Sequence, residues 1–406
     1  MIILNRRQFH TFALALASPA VRLLAAPSLS DILRDSMKRR GIPNVVAMVA
    51  TPDRITYTGA FGKRDVASGI DVKPDSMFAI ASMTKAITAT AALQLVEQGK
   101  VTVHEPVSKH LPELGMLNVL TGFDSKGQPI LHPAMKPVTL HHLLTHTSGF
   151  AYDTWDESML KYNALHGGAA GPVVAPLTPL IFEPGTRWQY GTSMDWAGKL
   201  VEAVSGLTLE QYFQRNILQP LGMKDTTFIF PAAKVERLVS SSRRQPDGSL
   251  KEDRRAVPPA PKAYNGGGGL FSTAPDYVRF MQMILNKGRG PGGQVLQAKT
   301  VAMMTANQIG DVSAGKLKTY RPAISSDVDF HPGFTDGFTY GFLINKTAYQ
   351  GGRSAGSLAW AGVENTFYWI DPRKSLCAVV MMQFFPFVDK QAVGLLGDFE
   401  KAVYGA

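Results

Sequence analysis

The chain has a single cysteine, Cys377, so no disulfide can form within it. That thiol lies in the apolar run Leu376-Cys377-Ala378-Val379-Val380, where a buried, inert side chain is expected. Metal-ligand spacing is missing too. No cluster of His, Cys and acid has a coordinating pattern, and the adjacent His141 and His142 point in different directions on a helix. The formal charge is +10, yet the basic residues are scattered rather than striped. The densest pairs, Arg39-Arg40, Arg243-Arg244 and Arg254-Arg255, carry no interleaved aromatics, which argues against a nucleic-acid surface. No apolar run is long enough to span a membrane, and no internal repeat is present. What remains is an ordinary globular composition, 45% hydrophobic and 18% charged, in 406 residues that can bury a large core.

The N-terminus is patterned. Asn5-Arg6-Arg7-Gln8-Phe9 precedes an apolar stretch from Thr11 to Val21 and then Arg22-Leu23-Leu24-Ala25-Ala26. A twin arginine ahead of a short apolar region looks like a Tat export signal over residues 1–26, with a periplasmic or secreted destination and a cytoplasmic one as the alternative. The rest, 27–406, reads as one domain. Asp31 to Arg40 is expected to be a helix, and Asn44–Ala50 with Arg54–Phe61 a hairpin. From about 77 to 283 the patterns are mostly helical. Strand patterns return at Gly341–Lys346, Thr366–Asp371 and Ser375–Phe384, before a terminal helix from about Asp389 to Val403. The simplest assembly is α+β: one antiparallel sheet built from both chain ends (about 44–61 and 341–384), flanked by helices, with an inserted helical block.

One motif carries chemistry. Ser82-Met83-Thr84-Lys85 opens a segment that is apolar on every side (Ile87, Ala91, Leu93, Leu95, Val96) and stops at Gly99, the pattern of a buried helix. Residues i and i+3 share a helix face, so Ser82 and Lys85 project together from the first turn. A serine hydroxyl needs a neighbour to take its proton, and a lysine in an apolar site can serve. The start of a helix also aims free backbone N–H groups at an oxyanion formed there. Two other motifs fail on context. Gly352-Arg353-Ser354-Ala355-Gly356 fits the nucleophile-elbow pattern, but a strand-like run follows it and no histidine occurs after His331. Gly288-Arg289-Gly290-Pro291-Gly292-Gly293 fits a dinucleotide-binding pattern, yet it follows a helix with no βαβ unit around it. No cofactor is called for.

Further segments resemble the β-lactamase superfamily of serine hydrolases. His141-His142-Leu143-Leu144-Thr145-His146-Thr147-Ser148-Gly149 is similar to a segment of that superfamily. Glu183-Pro184-Gly185-Thr186-Arg187-Trp188-Gln189-Tyr190 resembles the run carrying its catalytic tyrosine, and Gly356-Ser357-Leu358-Ala359-Trp360-Ala361-Gly362-Val363 its third element in the esterase form. Leu218-Gln219-Pro220-Leu221-Gly222-Met223 and Tyr340-Gly341-Phe342 also match. The likeness runs from about 30 to 404 and is nearest to the family VIII carboxylesterases, which include acyltransferases. It implies a β-lactamase/transpeptidase-like fold and a serine carboxylesterase that hydrolyses short-chain esters through an acyl-enzyme. Under it Ser82 is the nucleophile, Lys85 and Tyr190 the general-base pair, and the N–H groups of Ser82 and Val363 the oxyanion hole. Tyr152, Trp360 and Gly362 would bind substrate, a small-molecule ester. The sequence departs from the penicillin-processing enzymes at Thr192, where they have asparagine, and at Trp360, where they have lysine. A neutral aromatic site suits an uncharged ester better than a β-lactam acid, unless Arg353 supplies the missing cation. β-lactamase, peptidase and acyltransferase activities remain alternatives on the same site, and a non-catalytic penicillin-recognising module is the alternative of another class.

Overall fold

The computed structural model describes residues 28–65, 67–166, 177–253 and 256–405. The twin-arginine segment and the Arg254-Arg255 pair lie outside the described residues. Helix α1 spans Leu29–Arg39, opened by Ser28, whose side chain accepts from Asp31 N–H while Asp31 bonds back to Ser28. The chain then forms the hairpin β1 (Asn44–Ala50) and β2 (Ile55–Asp65). Helix α2 (Thr84–Glu97) follows a 3₁₀ turn over Ala81–Met83. Helices α3 (Ser193–Ser205) and α4 (Ala274–Leu285) come from the middle of the chain. Strands β3 (Leu358–Gly362), β4 (Thr366–Asp371) and β5 (Leu376–Met381) and helix α5 (Lys390–Tyr404) complete the scaffold.

The main sheet has eight strands in the order Gly337–Phe338, Leu343–Ile344, β3, β4, β5, β1, β2, Ile70–Asp71, and every neighbouring pair is antiparallel. Strands from the two chain ends meet where β1 pairs with β5, Ala47 opposite Val380. All seven residues of β1 are buried, as a central strand covered on both faces must be. On one face Trp369 of β4 and Tyr57 of β2 pack on Phe399 of α5, beside α1. On the other, Tyr368 meets Tyr277 of α4, and α2 lies in the core behind them.

The block from 77 to 283 is less helical than its sequence pattern suggests. It contains a hairpin, Asn118–Phe123 against Pro129–Pro133, and a second pair, Ser242–Arg244 against Leu250–Glu252. In the first, the Asp124 side chain accepts N–H bonds from Lys126 and Gln128, and Gly127 takes φ +77°, so side-chain capping of the turn sets the strands. The expected strand Gly341–Lys346 shrinks to Leu343–Ile344. Gly341, at φ +101°, turns the chain where an added Cβ would lie 2.9 Å from Ala89 of α2. Ser375–Phe384 shortens to β5 because Ser375 (φ +51°) belongs to the preceding turn and Phe384-Phe385 pairs instead with Ser242-Arg243.

Candidate active site

Ser82 sits in the 3₁₀ turn that feeds α2, one turn ahead of Lys85. Ala81 before it is held at φ +42°, an unusual conformation for a residue with a side chain and one concentrated at functional sites. Every residue of α2 from Thr84 to Leu95 is buried, so Lys85, at 1% exposure, is a lysine enclosed in the core. Its Nζ donates to three acceptors: Ser82 Oγ at 3.2 Å, Tyr152 Oη at 3.3 Å and the carbonyl of Gly267 at 2.5 Å. The amine nitrogen also lies over the ring of Tyr190, 4.7 Å from its centre.

The two tyrosines are brought together by backbone. Residues 146–152 run beside residues 185–190, with Gln189 N–H on His146 carbonyl and Tyr152 N–H on Tyr190 carbonyl. Gly191 is needed there, since a Cβ would strike Phe150 and Ala151. The resemblance implies that Lys85 and Tyr190 form the general-base pair. The hydrogen bond from Lys85 goes instead to Tyr152, and the Tyr190 hydroxyl accepts from Trp360 Nε1 at 3.2 Å. In that bond the Tyr190 hydroxyl is the acceptor, so the bond does not use its proton. Burial, then the charges of Asp195 and Tyr190, push the Tyr152 phenol well above its ordinary range.

Trp360 comes from β3, whose far end lies against the Ala81–Met83 turn. At Gly362 a Cβ would collide with Ile80 carbonyl and Thr366 Oγ1, so glycine lets β3 approach the residues just before Ser82. Val363, next in the chain, is thereby carried to the same edge. Trp155, Tyr190 and Trp360 form a neutral aromatic wall, with Trp155 and Trp360 centred 5.2 and 4.9 Å from the Tyr190 ring. Phe330 closes it beside Trp360.

Arg353 does not face this wall. Its guanidinium is buried against Glu400 of α5, with contacts of 2.9 and 2.5 Å, and it stacks over Tyr349 and Trp369 on the opposite face of the sheet. Burial alone would raise the Glu400 carboxyl, and the Arg353 charge holds it below its usual value. The candidate cation is therefore already neutralised. Thr192 Oγ1, at the position of the absent asparagine, is buried without a partner. Ser354 lies in a loop ahead of β3, its N–H held by Asp371, so the strand–turn–helix of an elbow is absent at this serine. An apolar cavity of about 170 Å³ does lie behind the sheet, between Phe367, Trp369 and Leu396 of α5, and neither Ser82 nor Lys85 lines it.

Two residues escaped the sequence reading. Gly267 supplies the shortest contact to Lys85, and Asp195 of α3 accepts from Gly267 N–H at 2.7 Å and from Tyr152 hydroxyl at 3.4 Å. Their signals were the glycine run Gly266-Gly267-Gly268-Gly269 and a lone acid in an otherwise apolar helix start, Met194-Asp195-Trp196-Ala197.

A serine and a buried lysine at the head of a core helix are faced by two tyrosines, an arrangement suited to acyl transfer through serine, and the fold is that of β-lactamases and transpeptidases. The family model for β-lactamase matches residues 29–398, and the chain belongs to that family. Among curated relatives, the monacolin J acid methylbutanoyltransferase of Aspergillus terreus is 32% identical over 422 aligned positions, covering 97% of each chain. The lovastatin esterase of Penicillium rubens is 33% identical over 363 positions, 84% of this chain and 88% of that one. Among solved structures, unliganded simvastatin synthase from Aspergillus terreus superposes with a TM-score of 0.80 at 30% identity, over 93% of this chain and 98% of that one. The chain is thus a serine hydrolase or acyltransferase of the β-lactamase fold.

Proposed function

We propose that this protein is a serine carboxylesterase for neutral, short-chain carboxylic esters. Ser82 Oγ attacks the ester carbonyl and its proton passes to the Lys85 amine in its neutral form, turned so that its lone pair faces Ser82 Oγ. The backbone N–H groups of Ser82 and Val363 receive the oxyanion, and the Tyr190 hydroxyl protonates the departing alkoxide and is reprotonated from Lys85. Water then attacks the acyl-enzyme, giving its proton to the Lys85–Tyr190 pair, which returns one to Ser82 Oγ as the acid leaves. The observation that carries this reading is the 3.2 Å contact between Ser82 Oγ and a lysine amine enclosed in the core. An alcohol in place of water gives acyl transfer, a second reading favoured by the methylbutanoyltransferase relatives at 32% identity.

Substrate charge separates this reading from a β-lactamase. A cation meeting a drug carboxylate contributes on the order of 1.5–3 kcal/mol per hydrogen bond, about one to two powers of ten in affinity. Trp360 offers no such charge, and Arg353 is committed to Glu400. Accordingly, kcat/KM for p-nitrophenyl acetate or butyrate should exceed that for a chromogenic cephalosporin by at least about a hundredfold. Comparable turnover of both would overturn the neutral-ester assignment, and faster product formation with an added alcohol would favour the transferase.

Export by the twin-arginine route is proposed on Arg6-Arg7 and the apolar stretch behind them. Replacing both arginines by lysine should leave an uncleaved precursor in the cytoplasm. A wild-type protein found there by fractionation contradicts it.

A further inference from the structure

The grip on Lys85 leads back to one carboxylate. Two of the three acceptors around its Nζ, Tyr152 Oη and the Gly267 carbonyl, are themselves held by Asp195: Oδ1 accepts from Gly267 N–H at 2.7 Å, and Oδ2 from the Tyr152 hydroxyl at 3.4 Å. Taking Ser82 as the acyl-accepting nucleophile, we propose that Asp195 is a positioning residue that fixes the Gly267 peptide and the Tyr152 phenol, and so aims the Lys85 amine at Ser82. The third acceptor, Ser82 Oγ, is then where the amine must point.

Three features of the fold support it. Asp195 occupies the first turn of α3, a thirteen-residue helix, where the helix dipole favours an anion. It is 3% exposed, and a carboxylate at that depth needs partners, which the peptide and the phenol supply. Gly267 cannot be larger: a Cβ there would lie 2.5 and 2.9 Å from the two Asp195 oxygens and 2.9 Å from Tyr152 Oη. Close approach of this peptide to both groups is thus built into the glycine run. The charges acting on Asp195 are Lys85 across the site and Lys199 one turn on along α3, with the Tyr152 phenol beside it and the Tyr190 ring beyond. Burial pushes the Asp195 carboxyl up to about 6, while Lys85 and the Gly267 N–H pull it back toward the ionised form. The anion therefore forms in a pH range where an esterase works.

The test is Asp195→Asn, which keeps the shape and an oxygen for Gly267 N–H but removes the charge. With p-nitrophenyl butyrate, kcat should fall about ten- to a hundredfold with KM within about threefold, the pattern of a misaimed catalytic group. The acid limb of kcat/KM should move to lower pH by about one unit, because an amine facing an anion gives up its proton later than one that does not. The rate of Ser82 labelling by a fluorophosphonate should drop by the same factor as kcat. Tyr152→Phe cuts the same link from the other end and leaves the carboxylate in place, so kcat should fall by a similar factor with the limb unmoved, and misfolding of one variant leaves the other to decide. Wild-type rates in either variant, or lost activity in Asp195→Asn with an unmoved pH profile, overturn the proposal while leaving Ser82 as nucleophile. A wild-type protein that is not labelled at Ser82 overturns the functional reading itself, and this proposal with it.

Discussion

Trp360 has two separable roles at the residue scale: its ring is a neutral wall, and its indole N–H donates to Tyr190 Oη. Trp360→Phe keeps the wall and removes the donor. The Tyr190 hydroxyl then loses the indole donor that orients it, and kcat for a short ester should fall about tenfold, the value of one hydrogen bond of about 1.4 kcal/mol. Trp360→Lys should lower ester turnover further and raise cephalosporin turnover, measured as the ratio of the two kcat/KM values. If Trp360→Phe matches wild type, the indole bond is only packing. Tyr190→Phe should be the more damaging change, because it removes the proton itself. Ser354→Ala should leave turnover intact, since that serine lies in a loop outside the site.

Helix α5 illustrates what an element asks of single residues. It holds two glycines, each of which costs about 0.5–1 kcal/mol relative to alanine in a helix. Gly394 has a reason, because a Cβ would collide with the Arg40 guanidinium, which is anchored to Asp398 at 2.9 Å. Gly397 has none: a Cβ there meets nothing within 4 Å and only enters the cavity behind the sheet. Gly397→Ala should therefore stabilise the fold by about 0.5–1 kcal/mol, and Gly394→Ala should not, as read by the urea midpoint. Equal effects would contradict the packing account. The same scale explains what could be read beforehand. The hairpin β1–β2, strand β4 and helix α5 follow from period and breakers that are local in sequence. The Asn118–Pro133 hairpin was missed because its strands are set by an aspartate-capped turn within a stretch dominated by helical patterns. Ser82 and Lys85 were legible since the three-residue step from the 3₁₀ turn into α2 fixes their relation. Asp195 and Gly267 were not, because their contact joins positions 72 residues apart and depends on how α3 and the glycine run pack.

For the whole molecule, acid stability turns on histidines packed as neutral groups. His142 Nδ1 accepts the N–H of Thr139 at 3.2 Å, closing the capping box of the helix Leu140–Thr145, and a protonated ring could not accept. Burial first, then the nearby His141, His104 and Lys136 charges, lower it to about 4. Since its pKa falls on folding, the unfolded chain binds a proton from about pH 6.5 downward and the folded one only near 4, so stability drops as pH falls through that window. Allowing for partial exposure, the loss is on the order of 1–2 kcal/mol. His146, fully buried against Tyr190 and lowered by the same causes of burial and cationic charge, acts in the same direction. His142→Gln preserves an acceptor at the third helical position without a titration. Its Tm should fall less than that of wild type between pH 7 and 5, and an identical fall would show that His142 is not one of the groups responsible.

The central claim is a covalent acyl group on Ser82. Quenching the protein in acid during turnover of p-nitrophenyl butyrate and mapping the adduct by peptide mass spectrometry tests it directly. The account predicts a butyryl group on the peptide holding Ser82, absent in Ser82→Ala and accumulating when the deacylating step is slowed. A butyryl group on Ser354 instead, or undiminished turnover by a folded Ser82→Ala protein, would contradict it.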